Sequence, residues 1–229
     1  MINSTLICVS IIKKTLSEMI ETANKLAFEP VDLIEFRLDY LKPFPRLEEL
    51  LNILKVKKNK IATLRPLREG GESSLPEEER VKILEALVER KIEYVDIEYN
   101  TVGVEKFLEK AVNCNVKTIL SKHLLNGTPS LKKLESLFNE MSGLNPSFIK
   151  ISTMIKNKKD ILNLAKLILH AEKKQKKIIV TGMGEQGKIT RILAPIIGSK
   201  ITYCSIPGEP AAPGQLDYIK MIKILKELT

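Results

Sequence analysis

Short apolar runs rich in β-branched residues alternate with longer amphipathic stretches along the whole chain. The short runs have the length and composition of buried β-strands, and the longer stretches repeat their apolar residues at helical spacing. The eight predicted strands are Thr5–Ser10, Leu33–Leu38, Lys60–Arg65, Glu93–Glu98, Lys117–Lys122, Phe148–Ser152, Lys177–Thr181 and Ile201–Ser205. The helices predicted after them are Thr15–Ala27, Arg46–Lys58, Pro76–Lys91, Val102–Asn113, Ser130–Met141, Lys158–Lys174, Glu185–Ile197 and Gln215–Leu228.

Eight consecutive strand–helix units predict an α/β protein whose parallel sheet closes into a (β/α)8 barrel, the TIM-barrel fold. The chain has 229 residues, and no linker or low-complexity segment divides it. We therefore expect residues 1–229 to form a single barrel domain. A doubly wound open sheet is the alternative, but such sheets usually have fewer strands and gather their ligand residues at one switch point.

Several predicted strands carry polar side chains on one face only. Successive side chains of a strand point to opposite faces, and one parity of these strands is apolar enough to pack on helices. The other parity would then point into the barrel near the carboxyl ends of the strands, where such barrels carry their active sites. The residues that this rule directs inward are Glu35, Arg37, Arg65, His123 and Lys150.

Lys150 lies in the apolar run Phe148–Ser152. A buried ammonium is costly unless it is paired or loses its proton, and a lysine in such a place is often a nucleophile toward a carbonyl carbon. His123 can transfer protons near neutral pH, and arginines recognise carboxylate or hydroxyl oxygens. The set predicts a Schiff-base enzyme, although a structural histidine or a simple ion pair between Glu35 and Arg37 would explain single members.

The formal net charge of +9 is compatible with nucleic-acid binding. However, the lysine runs at 55–60 and 173–177 fall at the ends of predicted helices, where cations suit the helix dipole. No aromatic residues are interleaved with them for base stacking. We therefore expect solvated helix ends and no nucleic-acid partner.

The chain shows no apolar stretch long enough to span a bilayer and no evident signal peptide. Its three cysteines, Cys8, Cys114 and Cys204, are an odd number without clustering, which argues against a disulfide framework or a zinc site. A cytoplasmic protein without a membrane segment is the expectation.

Three loops carry further signals. The glycines after Glu69 predict a loop that holds this acid at the mouth of the barrel. The segment from Gly182 to Gly187 matches G-x-G-x-x-G, a weak dinucleotide signal at the seventh unit. We expect it to present backbone N–H groups and Arg191 to an anion. The segment 207–215 is rich in proline and glycine and predicts an active-site lid.

These motifs resemble the type I 3-dehydroquinate dehydratase family. They occur in family order from the first strand to the last helix. The matching pieces are Glu35-Phe36-Arg37-Leu38-Asp39, Thr63-Leu64-Arg65 with Glu69-Gly70-Gly71, Ser121-Lys122-His123 with Thr128-Pro129, Ile149-Lys150-Ile151, Met183-Gly184 through Thr190-Arg191, and Ala212-Pro213-Gly214-Gln215.

The resemblance implies a lyase of the shikimate pathway of aromatic amino-acid biosynthesis, which converts 3-dehydroquinate to 3-dehydroshikimate through a lysine Schiff base and a syn elimination. It also implies a homodimer without a metal or organic cofactor. By position it makes Lys150 the Schiff-base lysine, His123 the proton shuttle and Glu69 the acid that orients the histidine. The implied substrate-binding residues are Ser10, Glu35, Arg37, Arg65, Arg191 and Gln215.

Two positions depart from the family pattern, and two other functions stay open. The family often has serine where this chain has Ala211, and serine is usual where Thr190 stands. A class I Schiff-base aldolase on the same barrel would use a lysine of the sixth strand, with the Gly182–Gly187 loop as its phosphate site. A basic nucleic-acid-binding protein is the second alternative.

Overall fold

The computed structural model describes residues 5–210 and 214–228 of the chain. Its strands are β1 Leu6–Ile11, β2 Leu33–Arg37, β3 Asn59–Thr63, β4 Tyr94–Glu98, β5 Lys117–Leu124, β6 Phe148–Met154, β7 Ile178–Met183 and β8 Ile201–Cys204. Its helices are α1 Leu16–Leu26, α2 Leu47–Leu50, α3 Glu77–Glu89, α4 Val104–Asn113, α5 Leu131–Gly143, α6 Lys158–Lys173, α7 Thr190–Ile196 and α8 Tyr218–Glu227.

The strands form one parallel sheet in which neighbours along the chain are neighbours in space. The sheet runs from β7 through β6, β5, β4, β3 and β2 to β1, and β8 pairs with the far side of β1. Across the remaining gap, the backbone N–H of Lys200 donates to the carbonyl of Ile178 at 2.9 Å, and Val180 N–H donates to Ser199 Oγ at 3.1 Å. The barrel is therefore nearly closed, which confirms the predicted (β/α)8 fold over the open-sheet alternative.

A layer of apolar side chains fills the amino-terminal half of the barrel. Each strand contributes to it, and its buried members are Cys8, Leu33, Ile61, Tyr94, Ile119, Phe148, Ile179 and Ile201, with Tyr203 above them. Two residues farther along each strand, the same inward face carries the next layer, Ser10, Glu35, Thr63, Asp96, Ser121, Lys150, Thr181 and Tyr203. Because the lower layer is packed, a cavity can form only at the carboxyl ends of the strands.

The predicted elements agree with the structure except in two helices. The second unit forms only a short α2 followed by a 3-10 turn at Leu51–Lys55. Its buried residues Leu50, Ile53 and Val56 recur every three positions, a spacing that aligns them on a 3-10 helix. In the seventh unit a 3-10 turn at Glu185–Gly187 precedes α7. A hydrophobic pattern alone did not separate these turns from a continuous α-helix.

None of the helices in the described part of the chain is long and apolar enough to cross a membrane. The three cysteines are all free thiols, and Cys8 and Cys204 are buried in the barrel wall.

Gly71 illustrates how tightly the loop after β3 is packed. A Cβ at this position would lie 2.1 Å from the carbonyl oxygen of Arg65, so the backbone would have to move. We expect Gly71→Ala to lower the free energy of unfolding by about 1–3 kcal/mol in urea denaturation. Gly143→Ala is the matched control, because a Cβ at this helical residue meets nothing within 4 Å. It should be neutral or stabilising, and equal losses in both variants would contradict the steric argument.

Candidate active site

One cavity of about 140 Å³ opens at the carboxyl ends of the strands. The structure brings together all nine residues that the sequence singled out, which are Ser10, Glu35, Arg37, Arg65, Glu69, His123, Lys150, Arg191 and Gln215. Further lining residues were not predicted, and they are Thr63, Gly70, Leu125, Ser152, Thr181, Met183 and Tyr203. The volume suits a small molecule of a few carbon atoms in a ring.

Lys150 points into this cavity from β6 and is 6% exposed. Its Nζ donates to Oδ2 of Asp96 at 3.0 Å and lies 4.1 Å from the centre of the Tyr203 ring. A carboxylate and the face of an aromatic ring both favour a positive charge. The buried lysine is therefore accommodated by pairing.

Asp96 is itself held in one orientation on β4. Its Oδ1 accepts a hydrogen bond from Ser121 Oγ at 2.6 Å and forms an ion pair with Arg65 at 2.8 Å. Complete burial opposes ionisation, but the charges of Arg65 and Lys150 outweigh it and hold the pKa of Asp96 below its usual range. The residue is a fixed anion whose second oxygen faces the lysine.

Arg65 connects this pair to a deeper set of charges. It donates to Glu98 Oε1 at 2.6 Å and to Ser121 Oγ at 2.7 Å, and Glu98 pairs in turn with the fully buried Arg80 at 2.6 Å. Burial opposes the charge of Arg65, yet Asp96 and Glu98 outweigh it and raise the pKa of the guanidinium. Charges therefore alternate through the wall, and each terminal nitrogen of Arg65 is engaged by a protein carboxylate.

The sequence interpretation missed Asp96, Glu98 and Tyr203 as members of the site. A strand was predicted at 93–98, but its two faces were not assigned. The parity rule would have found the acids, because Tyr94, Asp96 and Glu98 share the inward face of β4. Periodicity alone could thus have placed Asp96 and Glu98 on the inward face of β4, although it does not show that Asp96 lies beside Lys150.

His123 lies at the end of β5 beneath the loop that carries Glu69. Glu69 Oε2 accepts the backbone N–H of His123 at 2.9 Å and lies 3.1 Å from Nδ1 of the ring. Its other oxygen accepts from Lys122 Nζ at 2.9 Å. A carboxylate only accepts, so we assign the imidazole proton to Nδ1, which leaves Nε2 as a free base.

The charges around this pair set its protonation state. Burial and the nearby Arg65 lower the pKa of His123 below its usual range, against the raising effect of the Glu69 hydrogen bond. Burial disfavours the Glu69 anion, but its hydrogen bonds to His123 and Lys122 lower the pKa of the carboxyl. At neutral pH the arrangement is a neutral imidazole on an ionised carboxylate.

Glu35 and Arg37 both lie on β2, and each binds a different set of partners. Ser10 and Thr63 donate their hydroxyls to Glu35 at 2.5 and 2.8 Å. Arg37 makes a two-bond fork with Asp39, with Nε and a terminal nitrogen at 2.9 and 2.7 Å from its oxygens. The simple Glu35–Arg37 ion pair considered from the sequence is therefore replaced by an Arg37–Asp39 pair.

Arg191 is a buried cation with few protein partners. It is 6% exposed, its Nε has no hydrogen-bond partner in the described part of the chain, and a terminal nitrogen reaches the carbonyl of Tyr203 only at 3.4 Å. Within residues 5–210 and 214–228, Arg191 forms no salt bridge with a carboxylate. Burial lowers the pKa of Arg191 to about 10, so it remains charged at neutral pH. Such a guanidinium is prepared for an anionic ligand.

The loop between β7 and α7 differs from the prediction. The N–H groups of Gly182, Gly187 and Lys188 bond to Thr190 Oγ1, Gly184 and Glu185 within the loop. A Cβ at Gly187 would lie 2.5 Å from the carbonyl carbon of Gly182, so these glycines allow close packing. These three N–H groups are therefore satisfied within the loop and do not face an anion, whereas Arg191, the other part of the expectation, lines the cavity.

The segment after β8 contributes Gln215 to the cavity. Before it, Glu209 forms an ion pair with Lys13 of the β1 loop at 2.7 Å. Ala211, at which the chain departs from the family pattern, lies outside the described residues, as do Ala212 and Pro213.

Comparisons with known proteins agree with this geometry. The family model for type I 3-dehydroquinase matches residues 7–229. A 3-dehydroquinate dehydratase of Coxiella burnetii is 34% identical over 223 residues, which cover 96% of this chain and 92% of the relative. The enzyme of the same name from Methanocaldococcus jannaschii is 34% identical over 226 residues and 97% of each chain.

Solved structures match the whole barrel. A type I 3-dehydroquinate dehydratase of Clostridium difficile, solved with covalently modified comenic acid, has a TM-score of 0.91 and 26% identity, over 98% of this chain and 92% of that one. The 3-dehydroquinate dehydratase of Aquifex aeolicus has a TM-score of 0.79 and 25% identity, over 97% and 98%. Since the match runs from the first strand to the last helix, the chain belongs to the type I 3-dehydroquinate dehydratase family of lyases.

Proposed function

We propose that this chain dehydrates 3-dehydroquinate to 3-dehydroshikimate through a Schiff base on Lys150, as a step of the shikimate pathway. The observation that carries the proposal is a buried lysine amine that shares one small cavity with a neutral histidine and with an arginine that pairs with no carboxylate of the described residues. These three groups are the nucleophile, the base and the anion contact that dehydration of a cyclic keto acid requires.

We infer the placement of the substrate from the polar groups that line the cavity. The carboxylate of dehydroquinate binds Arg191, and Gln215 lies on the same side. The ring hydroxyls face Glu35, Arg37 and Ser10. Arg65 borders the same space, although its guanidinium is engaged by Asp96 and Glu98. We therefore give Arg65 chiefly the task of fixing those acids.

The first chemical step forms the carbon–nitrogen bond. Lys150 gives up a proton, and the free amine attacks the ring ketone. The hydroxyl of the resulting carbinolamine takes up the proton that Lys150 released and leaves as water, and an iminium remains. The cationic nitrogen then withdraws electrons, so the neighbouring carbon becomes acidic. The iminium is the electron sink, and the proposed reaction therefore needs no metal or organic cofactor.

The elimination uses one histidine twice. Nε2 of neutral His123 takes the proton from the acidic carbon and leaves an enamine. The enamine expels the β-hydroxyl, and His123 returns the proton to the departing oxygen as water forms. Since the same group serves as base and acid, proton and hydroxyl leave from one face, which is a syn elimination. Hydrolysis of the new iminium releases the conjugated enone acid and regenerates Lys150.

The Clostridium difficile relative supports the covalent part of this proposal, because it was solved with covalently modified comenic acid. Proton handling is supported by geometry, since Glu69 occupies Nδ1 of His123 and leaves Nε2 for the substrate.

We also propose a cytoplasmic homodimer, and light scattering on the purified protein would test the dimer.

The two rival functions have less support. A class I aldolase would need a phosphate site in the seventh and eighth units, yet three N–H groups of the Gly182–Gly187 region are bonded within the loop. A nucleic-acid-binding protein would need its polar strand residues outside, whereas they line an inner cavity. An assay for enone absorbance from dehydroquinate, run beside sugar-phosphate cleavage, separates dehydratase from aldolase.

The Schiff base is testable by chemical trapping. We expect borohydride, added in the presence of dehydroquinate, to leave a reduced adduct on the peptide that contains Lys150, because hydride reduces the iminium to a stable amine. Peptide mass mapping locates the adduct. Lys150→Met should give none, and other lysine peptides serve as internal controls. A wild-type protein that turns over without an adduct on this peptide would sink the mechanism.

Replacing His123 separates bond formation from proton transfer. We expect His123→Ala to retain borohydride trapping at Lys150, because the nucleophile and its carboxylate partner remain. Turnover should fall by about 10²–10⁴-fold, the usual contribution of a positioned acid–base group. Steady-state enone formation and the trapped fraction are measured on the same preparation. If both drop by the same factor, the proton-shuttle role is wrong.

The environment of His123 predicts that its imidazole takes up a proton at a lower pH than an ordinary histidine does. Burial and Arg65 lower its pKa below the ordinary value of about 6.5, so the imidazole should stay neutral as the pH falls through that value. The unfolded chain then binds more protons than the folded one, and the free energy of unfolding decreases as the pH drops below about 6.5. Nitrogen-15 NMR of labelled histidine measures the titration, with His170→Asn to assign the signal. A midpoint near 6.5 for His123 would contradict the assigned environment.

A further inference from the structure

Asp96 lies against the nitrogen atom that is to react. It is fully buried, and its Oδ2 accepts from Lys150 Nζ at 3.0 Å. Ser121 and Arg65 hold the other oxygen at 2.6 and 2.8 Å, so the carboxylate has no freedom to rotate away. A carboxylate fixed on both sides presents its free oxygen to one point in the cavity.

We propose that Asp96 is a catalytic residue. Its carboxylate is the counter-ion of the Lys150 nitrogen, both before the substrate reacts and in the covalent intermediates. The inference rests on the proposed Schiff-base function and adds a residue to it. The relevant contact is the hydrogen bond from Nζ of Lys150 to Oδ2 of Asp96.

The balance of atoms and charge supports this role. An ammonium and a ketone together become an iminium and one water molecule, so the nitrogen carries one positive charge before and after. The ammonium has three protons and the iminium has one. The other two protons leave with the former carbonyl oxygen as one water molecule. The remaining N–H can still donate to Asp96, because its acceptor does not have to move.

The same contact acts during the elimination. When His123 removes the carbon-bound proton, the nitrogen becomes the neutral centre of an enamine. An adjacent anion disfavours that neutral state relative to the cation. Expulsion of the hydroxyl restores the iminium, so Asp96 stabilises the cation both before the proton is removed and after the hydroxyl has left. The ring of Tyr203, 4.1 Å from Nζ, favours the cation in the same way.

Asp96→Asn tests the proposal with little change in shape. The amide oxygen can stay on Ser121 and Arg65, and the amide NH2 group then replaces the acceptor that faced Lys150. We expect the fraction trapped by borohydride at saturating dehydroquinate to fall about tenfold or more, with a similar loss in kcat, as for other hydrogen bonds between charged groups. Asp32→Asn is the matched control, because Asp32 binds the backbone N–H of Ile7 at the opposite end of the barrel.

The outcomes separate the two proposals. A wild-type protein that forms no adduct removes the Schiff-base function itself. A wild-type protein that is trapped, together with Asp96→Asn trapped to the same extent, removes only the role of Asp96. If the variant does not fold, a crystal structure of the reduced wild-type adduct decides. Nζ should remain about 3 Å from Oδ2 of Asp96, and a separation beyond about 4 Å would overturn the inference.

Discussion

The ion pair between Lys150 and Asp96 is the interaction on which the cavity depends. Each partner is almost completely buried, and a buried charge without a partner costs several kcal/mol. The pair does not stand alone, since Arg65 binds Asp96 and Glu98, and Glu98 binds Arg80. Removing one member would leave its partner as an unpaired charge in the apolar interior. The barrel wall is thus rigid where a reactive amine has to be held.

Two layers of side chains place this pair at a fixed height in the barrel. The lower layer is apolar and closes the amino-terminal half, and the upper layer lies two residues farther along each strand. A strand rises about 3.3 Å per residue. The two layers are two residues apart, so they are separated by about twice that distance along each strand. Lys150 stands directly above Phe148 on β6, at the boundary between packed core and open cavity. An amine at that boundary is shielded from bulk water and still within reach of a substrate.

The charged groups around each side chain of the cavity set its protonation state. Nζ of Lys150 is surrounded by groups that favour a cation, whereas the burial of His123 and its proximity to Arg65 keep the imidazole neutral. Glu69 orients that imidazole and is itself neutralised by Lys122. Arg191 pairs with no carboxylate among the described residues, and it is the cation that we assign to the substrate. A nucleophile, a base and an anion site can therefore coexist in about 140 Å³ because each has a different set of neighbours.

The sequence by itself determined the eight strand–helix units and the inward face of Glu35, Lys150 and His123, since both follow from spacing along one segment of chain. It also indicated the family, through motifs in a constant order. Only the tertiary structure decided the partners. Asp39 binds Arg37, Glu69 reaches His123 from a loop 54 residues away in the chain, and Asp96 meets Lys150 across two strand pairings. Periodicity records which face a side chain occupies, whereas a salt-bridge partner depends on which distant segment the closed barrel brings to that face.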